Sequence, residues 1–453
     1  MSIKKIIMVA VKKCFSIDLD EGKIVVDISD DNKYYYTDVA LVLSKLLDKN
    51  PIDTANVITN NIERDAFDKL EVDNFGIINV FLNKKYLINV ANNIIESGKK
   101  FGKSNYGKGK KVNIGYSLIT NIADNDLNFM RMAIYGDCLS NIMAFVGYDV
   151  TREVYMKNTD SRNFEKLIKQ LDSIRINFDS FTEEKNLYDN GIIDLTLNKL
   201  QKSNKCYIEE DSLWLETRDL YDDKNRILVD GNGTYSSLLL QISYHVYKYD
   251  KGYDKIIDMM GINDYVSTNS LKFGIECAGY SPDKIKFIDF ASIVIHDSVN
   301  INLDDLINKF DVNNLRYHLV SINNNLIEFD LIRKNSDENP IYYIEKSYIK
   351  LYSILKKYSH ETIVKYGTID SDSAYIILNK LIKFEDTVIE ASNGNVNILR
   401  DYLYELACLF NGYYNELENA DKHYEEDLII LSALRVVMNN TSNILGLILR
   451  EEL

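Results

Sequence analysis

"KVNIGYSLITNIADNDLNFMRMAIYGDCLSNIMAFVGYDVTREVYM", residues 111–156, is the stretch that decides the fold. Its two ends, residues 111–118 and 148–156, are typical of strands, and the apolar pattern between them predicts an amphipathic helix from about Asp126 to Val146. A strand, a long crossover helix and a second strand are the components of a parallel sheet with right-handed connections. The turn before such a helix faces phosphate in nucleotide-binding folds, yet this turn has no glycine-rich loop, histidine or lysine.

The segments before and after this stretch predict two further units. Residues 1 to about 97 contain helices, among them an amphipathic one at 37–50, and a strand-like segment at 75–82, which together predict a small α/β domain. From about Leu303 the period becomes helical, and one face of the segment 397–418 carries only large apolar or aromatic side chains, namely Leu399, Leu403, Leu406, Phe410, Tyr413 and Leu417. The expected fold class is therefore α/β plus all-α: a small N-terminal α/β domain, a Rossmann-type parallel sheet and a C-terminal helical bundle.

Composition narrows the functional class. A chain of 453 residues is long for one hydrophobic core, and its net charge of -15 argues against a protein that coats nucleic acid nonspecifically. Residues 1–15 are too short and too interrupted by lysine to span a bilayer and lack a signal-peptide cleavage site, which predicts a cytoplasmic protein without membrane contact. The cysteines show no metal-ligand spacing and are expected to be buried free thiols: Cys14, Cys138, Cys206, Cys277 and Cys408.

The densest basic segment lies between the first two units, at residues 98–111. Glycine, serine and aromatic residues separate its lysines, which are Lys99, Lys100, Lys103, Lys108, Lys110 and Lys111. By composition alone a solvated interdomain linker is the favoured interpretation. A contact with RNA is the alternative, because clustered lysines neutralise phosphates.

The order of the segments resembles class I arginyl-tRNA synthetases over nearly the whole chain. The resemblance rests on YYYTDVALVLSKLLDKNP and VDNFGIINVFLNKKYL near the N-terminus, on residues 121–156 and 222–261 for the two Rossmann halves, and on NNLRYHLVS and LYELACLFNGYYNELE near the C-terminus. It implies an additional N-terminal domain at 1–98, a shortened Rossmann domain at 110–302 and a helical domain like an anticodon-binding domain at 303–453. In this frame Arg316, in NNLRYHLVS, is expected to be a structural anchor of the bundle.

Two nucleotide-binding signatures of that family are absent. The resemblance aligns its His-Ile-Gly-His turn with Asp126, Leu127, Asn128 and Phe129, so an acid replaces the first histidine. A carboxylate there would repel a triphosphate, whereas a helix N-terminus favours an anion by only about 0.3–1 kcal/mol. The family's lysine-containing mobile loop falls on the short connection that contains His296, Asp297 and Ser298, which brings no lysine.

The amino-acid pocket implied by the resemblance is also altered. Asn121, which matches a residue that holds the substrate's α-amino group, is retained, and so is Tyr235. The family's pocket tyrosine and aspartate fall on Ser237 and Gln241. Because a guanidinium prefers anionic partners, the loss of the aspartate predicts weak binding of arginine.

These departures lead to two hypotheses. The first is a catalytically inactive relative of the synthetases, without catalytic residues or cofactor, that binds tRNA or a regulatory protein partner. The alternative is an active or repurposed arginine–tRNA ligase with atypical signatures, which would use ATP. In either case the sequence predicts no metal, and the resemblance implies a monomer.

Overall fold

The computed structural model describes residues 3–19, 23–118, 127–156, 161–218, 222–260, 267–290, 294–295, 303–320, 326–327, 336–358, 369, 371–419 and 427–452. Within these ranges it contains three structural units in chain order: a small α/β unit, a unit built on a parallel sheet, and a helical unit. The fold class predicted from the sequence is confirmed.

The N-terminal unit packs four helices against a four-stranded antiparallel sheet of order β1–β2–β4–β3. The strands are β1 Val26–Ile28, β2 Tyr35–Thr37, β3 Phe67–Val72 and β4 Ile78–Leu82, and the helices are α1 Ile3–Phe15, α2 Val39–Leu47, α3 Pro51–Asn61 and α4 Lys84–Ser97. The helix predicted at 37–50 ends early because Asp48 adopts a left-handed conformation, φ 52°. Asn50 then caps a new helix by accepting the backbone N–H groups of Ile52 and Asp53, with Pro51 as its first residue.

The second unit is built on a five-stranded sheet of order β12–β11–β5–β6–β7 in which all neighbours are parallel. Its strands are β5 Lys111–Leu118, β6 Asp149–Met156, β7 Ser180–Glu183, β11 Lys255–Met260 and β12 Ile285–Asp289. Helix α5, Leu127–Phe145, connects β5 to β6 as predicted, and α6, Ser161–Ser173, connects β6 to β7.

The prediction that helix α5 is amphipathic is wrong. Its residues from Phe129 to Leu139 are buried on every side, because the sheet covers one face and the helical unit covers the other. Gly136 allows α5 to approach β5 closely, since a Cβ at this position would overlap the ring of Tyr116 on β5.

Four helices and a small antiparallel sheet complete this unit. The small sheet, of order β10–β9–β8, contains β8 Cys206–Glu209, β9 Ser212–Leu215 and β10 Arg226–Val229. The helices are α7 Glu184–Asp189, α8 Ile192–Lys202, α9 Ser237–Asp250 and α10 Thr268–Cys277. Their apolar side chains form a second hydrophobic cluster that is separate from the main core.

The third unit is helical. It contains α11 Leu303–Lys309, α12 Val312–Leu319, α13 Pro340–Tyr358, α14 Asp372–Ile382, α15 Phe384–Ala391, α16 Asn397–Asn419 and α17 Leu428–Ile444. All six side chains predicted on one face of α16 are buried. One short parallel pair joins β13 Val294–Ile295 to β14 Leu326–Ile327, and only β14 lies beyond Leu303, where strand signals fade in the sequence.

The backbone of the connector at residues 98–110 is ordered, although its lysine side chains are exposed as a solvated linker predicts. Asn440 of α17 donates to the backbone oxygens of Gly98 and Phe101, at 2.9 and 3.1 Å. The ring of Phe101 stacks on Phe384 of α15 at 6.1 Å, and Gly107 N–H donates to Val146 O. The backbone of the connector is thus packed between the second and third units.

The N-terminal unit also docks directly on the helical unit. The hydroxyl of Tyr35 donates to Asn379 O at 2.5 Å, and the amide of Asn379 donates to Asn32 O at 3.0 Å. Lys383 pairs with Asp27 at 3.0 Å. These bonds are largely buried, so they hold the two units in one relative orientation.

Three composition-based predictions can be compared with the structure. Among the described residues no helix is long and apolar enough to cross a membrane, and no group of three or more His, Cys, Asp or Glu side chains could hold a metal ion. The cysteines are free, but only Cys138 is buried; Cys408 is exposed and the other three are half-buried. The prediction of uniformly buried thiols is therefore wrong.

Candidate active site at the carboxyl edge of the sheet

Three helices begin at the edge where the parallel strands end. Helices α5 and α9 precede β6 and β11, so each runs antiparallel to the sheet and starts at its carboxyl edge, and α7 starts directly after β7. In open parallel sheets this edge binds ligands, because loops and helix N-termini converge there. The pocket positions proposed from the sequence, at the start of α9, lie at this edge.

The structure tests little of the proposed nucleotide site. Asn121 and Asp126, like the connection with His296, Asp297 and Ser298, lie outside the described residues. Leu127 and Asn128 are the first residues of α5, and their side chains are likewise not described. Phe129 is buried in the main core, which is a packing role for the side chain at the position of the second histidine.

A buried carboxylate that the sequence analysis missed lies at this edge. Glu184 is the first residue of α7, is 5% exposed, and accepts a hydrogen bond of 3.0 Å from the hydroxyl of Tyr155 on β6. Burial, and after it the charge of Glu184, raises the pKa of Tyr155 well above its ordinary value. Tyr155 thus remains a neutral donor that fixes the orientation of the carboxylate.

The next turn of α7 contacts one of the predicted pocket residues. The ring of Tyr188, one turn further along α7, stacks on Tyr235 with centroids 5.8 Å apart and an interplanar angle of 25°. Burial raises the pKa of Tyr188, and the charge of Glu184 and the Tyr235 hydroxyl raise it further. Tyr188 is therefore a shared neighbour of Tyr235 and Glu184, which lie 51 positions apart in the sequence.

The other two predicted pocket residues lie on the first turns of α9. Ser236 caps this helix by accepting the N–H of Leu239, and Ser237, its first residue, is exposed. Gln241 follows one turn later, is half-buried, and accepts a bond from the ring of His245 through its backbone oxygen. The start of α9 thus presents neutral polar groups, and the carboxylate at this edge comes from α7.

Behind the pocket, the inner face of α9 carries a buried ionic cluster. Asp258 on β11 accepts from His245 Nε2 and from Lys248 Nζ, both at 2.5 Å, and both donor side chains are fully buried. Burial alone would raise the pKa of Asp258, but the charges and hydrogen bonds of Lys248 and His245 outweigh it and hold that pKa well below its ordinary value. The cluster joins α9 to the middle of the sheet.

A third buried carboxylate joins three neighbouring strands. Glu153 on β6 is fully buried and accepts from Asn113 of β5 at 2.7 Å and from Thr182 of β7 at 2.5 Å. Lys251, just after α9, lies 4.0 Å from the same carboxylate. Because its oxygens are held within the sheet, Glu153 has a structural role.

The outer side of α5 is held by Arg316, the predicted anchor. Its guanidinium is fully buried and donates to Asp137 of α5 at 2.5 Å, to Leu445 O at 3.1 Å and to Ile174 O at 3.0 Å. Gly446, with φ 69°, leaves the space for this guanidinium, because a Cβ there would overlap it. Arg316 therefore acts as a structural anchor between the sheet unit and the helical unit, as predicted.

The lysines proposed as RNA contacts are all exposed on the ordered connector. Lys99 also lines a cavity of about 910 Å³ between the end of α4, α13 and α17. The same cavity is lined by Tyr352, Lys356 and Arg435, and the guanidinium of Arg435 lies 4.8 Å from the centroid of the Tyr352 ring. Cationic and aromatic groups together are suited to an unpaired nucleotide.

Comparison with known proteins agrees with this architecture. Two family models match: the arginyl tRNA synthetase N terminal domain at residues 1–82 and the DALR anticodon binding domain at residues 344–453. The arginine–tRNA ligase of Bacillus subtilis is 24% identical, with 91% of each chain covered, and that of Staphylococcus epidermidis is 25% identical, with 95% of this chain and 94% of the other covered. The solved structure of Thermus thermophilus arginyl-tRNA synthetase superimposes with a TM-score of 0.80 at 14% identity, covering 100% of this chain and 99% of the other.

These findings contradict the hypothesis of a catalytically inactive paralogue. Relatives matched over nine-tenths of the chain are named arginine–tRNA ligases, which favours the alternative hypothesis. An acid is missing at Gln241, but Glu184 provides a buried carboxylate at the same edge of the sheet. Both ends of the chain thus match domain models of arginyl-tRNA synthetases, and nine-tenths of its length is similar to an arginine–tRNA ligase.

Proposed function

We propose that this protein is an arginine–tRNA ligase that uses ATP to esterify tRNA with arginine. The observation that carries the proposal is the buried Glu184 at the carboxyl edge, one helical turn before the Tyr188 that stacks on Tyr235, in a chain similar over 91% of its length to an arginine–tRNA ligase. The corresponding domain assignment is an N-terminal additional domain at 1–98, a Rossmann catalytic domain at 110–302 and an anticodon-binding domain at 303–453. A monomeric state and a cytoplasmic location stay predictions.

The proposed reaction has two steps. The carboxylate of arginine attacks the α-phosphorus of ATP and pyrophosphate leaves, which gives arginyl-adenylate. A terminal ribose hydroxyl of tRNA then attacks the arginyl carbonyl carbon, the ester forms, and AMP leaves with the electron pair of the broken anhydride bond. Catalysis of such transfers depends mainly on positioning the reactants and stabilising developing charge.

In this proposal Glu184 accepts the substrate's guanidinium. A carboxylate is the natural partner of guanidinium, and burial strengthens the pair because little water competes. The bond from Tyr155 orients Glu184 without adding an opposite charge, because the phenol keeps its proton and donates as a neutral group. Tyr188 and Tyr235 would form the apolar wall along the aliphatic part of the substrate.

Replacing Glu184 by glutamine should raise the KM for arginine about 10- to 100-fold, because the charge-assisted bond to the guanidinium is lost while shape is kept. The matched control is Glu183→Gln, which changes the same charge on the adjacent, exposed residue. Both are measured by charging total tRNA with labelled arginine in the presence of ATP. Equal KM values for the two variants would contradict the role of Glu184, and a folded wild-type protein that charges no tRNA with arginine would overturn the proposed function.

We further propose that the exposed lysines of the connector contact tRNA. They are Lys99, Lys100, Lys103, Lys108, Lys110 and Lys111, and the ordered backbone holds them at fixed positions between the units. The first of them also reaches the cavity with Tyr352 and Arg435. An acidic protein can bind a polyanion through such a local basic track, because screening limits the influence of distant charges to about 10 Å at 0.1 M salt.

The double variant K99Q/K100Q should weaken tRNA binding and reduce the slope of log affinity against log salt by up to about 1.8, since each lost phosphate contact releases about 0.9 fewer counterions. The control is K12Q/K13Q, which removes the same charge from exposed positions on α1. Fluorescence anisotropy with labelled tRNA across a salt series measures both quantities. Identical slopes for the two double variants would exclude these lysines as phosphate contacts.

A further inference from the structure

The arginine site proposed above draws on the start of α9 and the start of α7, and one buried network lies behind both. His245 lies one helical turn after Gln241 and faces the sheet, with its side chain fully buried. Its two ring nitrogens face two different oxygens: Nδ1 lies 2.7 Å from Gln241 O, and Nε2 lies 2.5 Å from Asp258 Oδ2. The ring therefore links the backbone at a pocket position directly to strand β11.

Lys248 fixes the other end of that link. Its ammonium donates to Asp258 Oδ1 at 2.5 Å and lies 4.2 Å from the centroid of the Tyr244 ring. Gly115 on β5 makes room for this arrangement, because a Cβ at that position would overlap both Asp258 and Lys248. Two donors thus hold Asp258. They have room to do so because residue 115 is glycine.

The same face of α9 also supports the start of α7. Tyr244 stacks on Tyr155 with centroids 4.3 Å apart and an interplanar angle of 27°. Tyr155 in turn donates to Glu184, the carboxylate proposed to accept the guanidinium. A displacement of α9 relative to the sheet would therefore move both Gln241 and, through the stacked rings, the donor that orients Glu184.

From these contacts we infer that His245 is a positioning residue of the arginine pocket. It holds the first turns of α9 in register with the sheet by bridging Gln241 O and Asp258, and it does not touch the substrate. The inference rests on the proposed function for the identity of the ligand. If His245 had a structural role alone, replacing it would lower only the stability of the protein. If it positions the pocket, replacing it also weakens the binding of one substrate, arginine.

Two variants separate the two bonds of the ring. In H245Q the side-chain amide nitrogen can replace Nε2 and keep the bond to Asp258, whereas in H245N it can replace Nδ1 and keep the bond to Gln241 O. Because the bridge needs both bonds, each variant should raise the KM for arginine about tenfold. The kcat and the KM for tRNA should stay within about twofold of wild type. The control T441V removes a buried hydrogen bond from α17 to Val437 O and should leave all three parameters unchanged.

Hydrogen exchange gives a second readout that needs no activity. Residues 237–244 should exchange faster in both His245 variants than in wild type, while the exchange of α16 stays the same. The inference is wrong if both variants fold and residues 237–244 exchange at the wild-type rate. It is also wrong if the KM values for arginine and tRNA rise equally. If wild-type protein charges no tRNA with arginine, the proposed function fails, and exchange at 237–244 still decides whether His245 positions α9.

Discussion

Replacing Arg316 by methionine should lower the free energy of unfolding by about 3–5 kcal/mol, the cost of removing the nearest ionic partner of a buried charge. The guanidinium joins Asp137 of α5 to the backbone of residues 174 and 445, and all of these contacts are removed from water. Methionine can fill the space of the side chain but cannot donate to Asp137. Among the described residues, the carboxylate would then keep only Arg152 Nε, at 3.6 Å, as an ionic partner.

Chemical denaturation followed by circular dichroism measures this loss, and two controls define its cause. Lys346→Met breaks an ion pair with Asp337 that is about half exposed, so it should leave the transition nearly unchanged. The double variant R316M/D137L removes both buried charges and should recover much of the stability, because a buried pair can often be replaced by apolar groups. If R316M unfolds at the same denaturant concentration as wild type, Arg316 is not the anchor that its contacts indicate.

Replacing Gly115 by alanine should destabilise the protein by a similar amount, about 3–5 kcal/mol, because it would break the buried cluster on α9. The new methyl group would lie 2.5 Å from Lys248 Nζ and closer still to Asp258 Oδ1. Neither group can move aside without losing its partner. The KM for arginine should rise as well, since Asp258 would no longer hold α9.

Gly412→Ala is the matched control for that substitution. Gly412 lies inside α16, and a Cβ at that position meets nothing within 4 Å. Alanine there should stabilise the helix by up to about 1 kcal/mol, since it has the higher helix propensity. Denaturation curves and arginine KM values of both variants test the contrast, and a G115A protein as stable as G412A would show that the sheet tolerates the methyl group.

The strand–helix–strand order of the Rossmann half could be predicted because it depends on local periodicity. The apolar pattern of residues 111–118 indicates a strand, and that of α16 indicates a helix with one buried face. The structure has both elements as predicted. Strand β3, Phe67–Val72, gave no such signal. It is an edge strand whose exposed Asp68 and Lys69 interrupt the alternation.

The pocket could be predicted only in part, for a different reason. Tyr235 and Gln241 follow from the resemblance, but Glu184 joins them through the pairing of β7 with β6, which sequence periodicity does not reveal. The only local sign was an acid directly after a short strand, in FTEE. The burial of α5 on all sides was missed for the same reason, because the helical unit that covers its outer face begins more than 150 residues later.

The ordered connector between residues 98 and 110 has a consequence for the thermodynamics of RNA recognition. A flexible lysine-rich segment loses chain entropy when it binds a polyanion, by about 1–2 kcal/mol for each backbone residue that becomes fixed. Here the bonds from Asn440 and the stacking of Phe101 on Phe384 have already removed that freedom during folding. Binding through these lysines should therefore show a small heat-capacity change and little ordering of the protein, with the favourable entropy coming from released counterions.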